Sequence, residues 1–176
     1  MSEEKKGYVP VYKDEDNFFS PVLRKYYVLF FTTDRIIVAR TLTRKPPGIG
    51  LFAATQKNYL LQDSATSRAT FEKIHELSPE ELLKADKENF VIPNKMIDDI
   101  ILKKNWILFN LERSYGEIKI HISTGDEHKF RFNPEFNLPD ISEEDKKEQK
   151  IILNEKFENY VEFIENSFSD RLENKL

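Results

Sequence analysis

The stretch that decides the fold is YYVLFF-TTD-RIIVAR, in which Tyr26–Phe31 and Arg35–Arg40 flank the polar Thr32–Asp34. Both flanking runs are rich in β-branched and aromatic residues, which favour strands. Threonine and aspartate side chains bond to nearby backbone groups and so favour a turn. The stretch therefore predicts an antiparallel hairpin within a β-rich domain.

Further strands are predicted on both sides of this hairpin. Upstream, Gly7–Tyr12 alternates weakly, and Pro10 assigns it to a short edge strand or a strand start. Downstream, Glu117–Ser123 alternates strictly between apolar and polar residues, as a half-buried strand does. The other predicted strands lie at Phe90–Ile92, Ile97–Lys103, Trp106–Leu111 and His128–Phe132. Six or seven strands joined by short turns favour an antiparallel barrel or sandwich over a βαβ arrangement.

Helical patterns interrupt and follow these strands. Ser67–Leu77 has helical spacing, and the segment Ser78-Pro79-Glu80-Glu81 is a capping box that begins a short helix ending at about Ala85. Both helices fall in an insertion between strands, at about residues 41–89. A second capping box, at Ser142, begins one long amphipathic helix over about residues 143–174. Its apolar stripe consists of Phe157, Tyr160, Val161, Ile164, Phe168 and Leu172. Phe157, Val161, Ile164 and Phe168 are expected to be buried against the strands.

This order of elements resembles the pleckstrin-homology-like (PH-like) superfold, and two stretches resemble its bacterial, archaeal and GRAM-type members. Phe31–Val38 is similar to that family's apolar strand, Thr-x-x-Arg turn and second apolar strand. Leu82–Ile100 is similar to its short helix, Ile-Pro strand end and "I-x-x-I" strand start. The resemblance implies an α+β, mainly antiparallel fold. It also implies a seven-stranded barrel with one open end plugged by the terminal helix.

Length and composition limit the class of protein. The chain has 176 residues, 39% hydrophobic and 33% charged, which predicts a single domain over residues 1–176 with a sizeable core. It has no cysteine, so thiolate metal sites and disulfides are excluded, and the composition fits a reducing compartment. The first residues lack the apolar run of a signal peptide, so a cytoplasmic location is expected. The longest notable uncharged stretch is too short for a membrane helix.

The sequence shows no catalytic constellation, so the chain is expected not to be an enzyme. His75, His121 and His128 lack metal-ligand spacing and are interpreted as structural histidines, and no cofactor motif is present. Adjacent strand residues point to opposite faces, so Asp98 and Asp99 diverge and are interpreted as surface residues rather than an acid/base pair.

Basic residues are concentrated around the hairpin, and they are the candidate binding residues. Five of them are proposed to receive an anionic group: Arg24, Lys25, Arg40, Arg44 and Lys45. They could bind phosphate or an anionic lipid surface, or they could complement the acidic C-terminal third of the chain. The net charge of −4 argues against nucleic acid and against simple membrane anchoring. A protein partner or self-association is therefore favoured, with peripheral lipid or phosphate binding as the alternative.

Overall fold

A computed structural model of the chain describes residues 3–15, 23–44, 71–103, 116–133 and 146–176. Within them the strands are β1 (Lys5–Glu15), β2 (Leu23–Thr32), β3 (Arg35–Arg44), β4 (Phe90–Pro93), β5 (Ile97–Lys103), β6 (Glu117–Ile122), β7 (Glu127–Phe132) and β8 (Leu172–Lys175). The helices are α1 (residues 71–75), α2 (Pro79–Ala85) and α3 (Lys146–Phe168), with a 3-10 turn at Asn94–Met96. The predicted strand at Trp106–Leu111 and the capping box at Ser142 lie outside the described residues.

The eight strands form one sheet in the order β4-β3-β2-β1-β7-β6-β5-β8. Every neighbouring pair is antiparallel except β5 and β8, which run parallel. The predicted α+β, mainly antiparallel architecture is confirmed. The predicted six or seven strands are too few, because the described residues form eight and residues 172–175, most of which were predicted to be helical, are one of them. Because β4 and β8 stand at opposite ends of the order, the ladder is not closed and the predicted barrel is not confirmed. The sheet nevertheless curls: the ring of Phe90 in β4 stacks on that of His128 in β7, with 5.2 Å between centroids.

The predicted hairpin is confirmed as β2 and β3, which pair from Phe31↔Ile36 back toward Arg24↔Arg44. Its turn is fixed by local chemistry, since the Thr32 hydroxyl accepts a hydrogen bond from the backbone N–H of Arg35 at 3.0 Å. The β3 strand continues to Arg44, into the region assigned to the insertion.

The prediction of a short edge strand at Gly7–Tyr12 is wrong. The strand is β1, which is 11 residues long and lies between β2 and β7. Pro10 is tolerated there because its backbone groups face β7, where its carbonyl accepts a hydrogen bond from Asn133 N–H at 3.0 Å. Since pairing between β1 and β7 is confined to Val11↔Phe132 and Tyr12↔Arg131, the missing proline N–H removes no bond from the long β1–β2 ladder.

The capping box that begins α2 is confirmed. The Ser78 hydroxyl accepts from the backbone N–H of Glu81 at 3.4 Å, and Ser78 N–H donates to the Glu81 carboxylate at 2.8 Å. Preceding it, α1 falls within the predicted Ser67–Leu77 helix, of which residues 67–70 lie outside the described residues. The last carbonyls of this turn, those of His75 and Leu77, accept hydrogen bonds from the ammonium of Lys5 in β1.

Each face of the sheet carries its own apolar cluster. The concave face holds the larger cluster, to which β1 to β7 and α3 contribute and in which Ile164 is 0% and Phe168 7% exposed. The convex face of β2 and β3 holds the smaller cluster, in which Phe30 and Ile37 pack beneath Phe71, Ile74 and Leu82 of α1 and α2. The helices of the excursion between β3 and β4 therefore cover one half of the sheet from outside.

The predicted burial of the α3 stripe is confirmed for Ile164 and Phe168, while Phe157 and Val161 are half-buried against the same cluster. The helix packs closely on β1, where a β-carbon on Gly7 would lie 2.6 Å from the ring of Phe163. Glycine at this position lets the helix approach the strand.

The prediction that the last helix continues to residue 174 is wrong. It ends at Phe168, and the N–H of Arg171 donates to the Phe168 carbonyl at 2.9 Å, which closes a turn. The Arg171 guanidinium then donates to the carbonyls of Asn94 (2.8 Å) and Ile97 (3.0 Å). These bonds direct the following residues onto the edge of β5 as β8, where backbone pairing replaces the last helical turn.

Candidate functional site

Four of the five predicted binding residues, Arg24, Lys25, Arg40 and Arg44, fall in the halves of β2 and β3 that lie away from the hairpin turn. Arg24 and Arg44 are opposite each other in the ladder, and the structure describes their backbones only. Lys45 lies outside the described residues. The structure brings together the side chains of Lys25 and Arg40.

Lys25 and Arg40 lie at the rim of the concave face. Lys25 continues the inward-facing row of Tyr27 and Leu29 along β2. Arg40 continues the row of Val38 along β3. The two side chains are 18% and 26% exposed, so both are reachable by solvent. In β1, Lys13 continues the row of inward-facing valines and is exposed. We call Lys13, Lys25 and Arg40 the basic rim.

Carboxylates of the loop between α2 and β4, residues 86–89, occupy this rim. Arg40 contacts Asp86 Oδ2 at 2.5 Å through Nη2 and Glu88 Oε1 at 2.9 Å through Nη1. The other oxygen of Glu88 lies 3.2 Å from Lys25 Nζ. One loop therefore joins cations of two strands.

Backbone contacts hold the 86–89 loop in place independently of these ion pairs. Asn89 accepts from the backbone N–H of Arg40 at 2.8 Å and donates to the Leu82 carbonyl at 2.7 Å. Within the loop, Glu88 N–H donates to Asp86 Oδ1 at 2.8 Å. The loop conformation is thus fixed largely by hydrogen bonds between side chains and backbone groups, chiefly those of Asn89. These bonds do not depend on the charges of Lys25 and Arg40.

Burial and charge act against each other at the rim. Burial disfavours the charged forms of both Arg40 and Asp86. For Arg40, the contact with Asp86, reinforced by Glu88, outweighs this burial and raises the pKa. The Glu88 N–H and the Arg40 guanidinium likewise hold the pKa of Asp86 below its ordinary value despite its burial. Both groups therefore remain charged at neutral pH.

His128, on β7, lies beside the basic rim and is neutral. Its burial, and then the charge of Lys13, lower the pKa of this histidine. The described side chains of the rim consequently carry one more cation than carboxylate at neutral pH.

A second polar cluster crosses the convex face of β5, β6 and β7. The two ring nitrogens of His121 lie between carboxylates, Nδ1 at 2.9 Å from Asp99 Oδ1 and Nε2 at 2.9 Å from Glu127 Oε2. The same Glu127 oxygen lies 3.3 Å from Lys119 Nζ. Beside them the buried carboxylate of Glu117 pairs with Lys129 on β7 at 3.1 Å. Charge alternates along this cluster and nearly cancels.

The His121 contacts predict a pH-dependent free energy of unfolding. The hydrogen bond with Glu127, and then Asp99, raise the pKa of His121 above its ordinary 6.5. This stabilisation is complete below about pH 6.5, the value in the unfolded chain, and is lost as the pH rises through the folded value. Denaturant unfolding should show His121→Gln costing more stability at pH 5.5 than at pH 8.

His128→Gln is the control, since burial shifts its pKa in the opposite direction. Because His128 is harder to protonate in the folded protein than in the unfolded chain, it lowers the free energy of unfolding as the pH falls below about 6.5. Its replacement should remove this loss of stability at acidic pH. If both substitutions changed the pH profile in the same direction, the contacts of His121 would not stabilise its charged form.

A third feature is an open cleft of about 1050 Å³ beside the hairpin turn. Arg35, which lines this cleft, is held by Glu3 at 2.6 Å and by Glu80 at 3.3 Å. Hydrogen bonding to Glu3 outweighs the opposing burial and raises the pKa of Arg35. The Thr-x-x-Arg turn thus ties the residues before β1 and the start of α2 to the hairpin.

Two features are absent from the parts of the chain that the structure describes. The described residues include no group of three or more His, Asp or Glu side chains placed to hold a metal ion. No helix among the described residues is both long and apolar enough to cross a membrane.

The sequence pointed to Lys25 and Arg40 but missed their partners. Asp86 and Glu88 lie in another segment, and only the tertiary fold brings them to the rim. The contact of Asp99 with His121 was also missed, because it depends on the register between β5 and β6. Comparison of the chain with models of known protein families, with curated proteins and with solved structures found no match.

Proposed function

We propose that this chain is a non-enzymatic binding module with a PH-like arrangement, and that it docks a protein partner through the basic rim. Seven antiparallel strands and a following helix support the arrangement. One observation carries the binding proposal: Lys25 and Arg40 already hold the carboxylates of an irregular peptide segment, residues 86–89. The ligand chemistry of the rim is therefore that of an acidic stretch of protein.

Charge arithmetic favours a protein over an anionic membrane as the partner. Each basic residue near an anionic leaflet contributes only about 1 kcal/mol, and stable anchoring generally needs two signals. At the rim, Asp86 and Glu88 offset two of the three cations and would face the same leaflet. An acidic peptide needs fewer cations, because it can align individual carboxylates with Lys25 and Arg40.

The test uses a fluorescein-labelled hexaglutamate peptide and fluorescence anisotropy at low salt. We expect binding that weakens as salt is added, and a loss of about tenfold in affinity for Lys25→Gln/Arg40→Gln. The matched control, Lys73→Gln/Lys84→Gln, removes the same charge from exposed positions on α1 and α2. Equal losses in the two variants, or no binding by the wild type or by any variant, would refute docking at the rim.

Vesicle sedimentation tests the alternative, which is binding to an anionic lipid surface. Phosphatidylserine vesicles should not carry the protein down at low salt. Tight sedimentation that Arg40→Glu/Arg44→Glu abolishes would replace the protein partner by an anionic lipid surface.

A further inference from the structure

The negative charges at the basic rim are not needed to shape the loop that carries them. Asn89 anchors that loop to β3 and α2 through its side-chain amide, and the Asp86 contact with Glu88 N–H requires an oxygen acceptor rather than a charge. The charges of Asp86 and Glu88 therefore contact Lys25 and Arg40, but the conformation of the loop backbone does not depend on them.

These ion pairs are also exchangeable. The side chains of Asp86 and Glu88 are 25% and 32% exposed, and those of Arg40 and Lys25 are 26% and 18% exposed. Solvent reaches both partners of each pair, so salt and competing carboxylates weaken the pairs, although at 18–32% exposure they do so less than for fully exposed pairs. Incoming carboxylates can thus compete with Asp86 and Glu88 for Lys25 and Arg40.

We infer that residues 86–89 are an autoinhibitory occupant of the basic rim, in which Asp86 and Glu88 fill the positions that an acidic segment of the protein partner takes. The inference rests on the proposed function and adds its regulation. A partner must displace both carboxylates, so its affinity is lower than the rim alone would give. Selectivity follows, because a single acidic side chain cannot compete with two that are already in place.

The experiment neutralises the occupant and keeps its shape. In Asp86→Asn/Glu88→Gln, the asparagine retains an oxygen that can accept from residue 88 N–H. Hexaglutamate affinity, measured by anisotropy at low salt, should rise on the order of tenfold over the wild type. The control, Glu72→Gln/Glu76→Gln, makes the same change in net charge at two exposed positions, one on α1 and one just after it. It should raise affinity by less than about twofold, since α1 covers the convex face, away from the basic rim, and water weakens the effect of exposed charges at a distance.

The outcomes separate the two proposals. If the neutralised loop binds hexaglutamate no more tightly than the α1 control, residues 86–89 are a structural latch and the inference is wrong, even where binding still depends on Lys25 and Arg40. If affinity rises but the additional change Lys25→Gln/Arg40→Gln leaves that gain intact, the peptide binds elsewhere and both proposals are wrong. Should the double variant fail to fold, Glu88→Gln alone decides, with an expected gain of about threefold and the same interpretation.

Discussion

Replacing Phe168 by alanine is expected to lower the free energy of unfolding by about 3–5 kcal/mol. The ring is 7% exposed and packs edge-on against Phe31 of β2, with 5.9 Å between centroids. Its removal takes apolar surface from the concave cluster and leaves a cavity beneath the end of α3, where Phe31 also contacts Phe163. Urea unfolding at neutral pH measures the loss.

Glu162→Ala serves as the control on the same helix, because its side chain faces solvent, and it should change stability by less than about 0.5 kcal/mol. A cost below about 1 kcal/mol for Phe168→Ala would mean that α3 does not seal the concave face.

Phe30→Ala should produce a loss of similar size on the opposite face, about 3–5 kcal/mol. Phe30 is 1% exposed and stacks on Phe71 of α1 with 6.3 Å between centroids, while the Lys5 ammonium lies 4.9 Å from the centre of its ring. Since these contacts fasten α1 to the sheet, the substitution should also loosen the excursion between β3 and β4. Urea unfolding and limited proteolysis measure the two effects.

Cleavage near α1 and α2 should become faster in Phe30→Ala than in Phe168→Ala at equal global stability, which is reached by adjusting urea. The exposed α1 substitution Lys73→Ala should leave both readouts near those of the wild type. Identical cleavage patterns in the two phenylalanine variants would contradict the assignment of separate clusters to the two faces.

Elements whose signals are local in sequence were predictable. The hairpin around Thr32–Asp34 follows from strand-forming runs and a turn whose threonine bonds its own neighbours. The start of α2 follows from Ser78 and Glu81, which satisfy each other's backbone groups within one turn. In both cases the stabilising atoms lie within a few residues of one another.

Pairing between distant segments was not predictable in this way. Periodicity could not show that β1 is flanked on both sides, since the identity of a strand's neighbours is set by the tertiary fold. The strand Leu172–Lys175 has little apolar pattern and is held by backbone pairing with β5 and by Arg171. A helical interpretation of its sequence was therefore natural and wrong.

The candidate site divides in the same way. Local charge density identified Lys25 and Arg40, because both lie in one basic stretch. It could not identify Asp86 and Glu88, which follow α2 and reach the rim only when that helix packs on β3. The environment of His121 likewise depends on which residue of β5 stands beside it in the ladder.

The parallel strand β8 has a consequence for how the chain avoids self-assembly during synthesis. Without β8, the edge of β5 that it covers, Ile100 to Lys103, would be open, with Ile100, Ile101 and Leu102 along it, and such edges template intermolecular cross-β stacking. With β8 in place, the sheet ends in four residues that include Glu173 and Lys175. The protecting strand is made long after β5, since α3 must emerge first. A nascent chain therefore passes through an interval in which β5 can recruit other chains, and that interval closes when β8 docks.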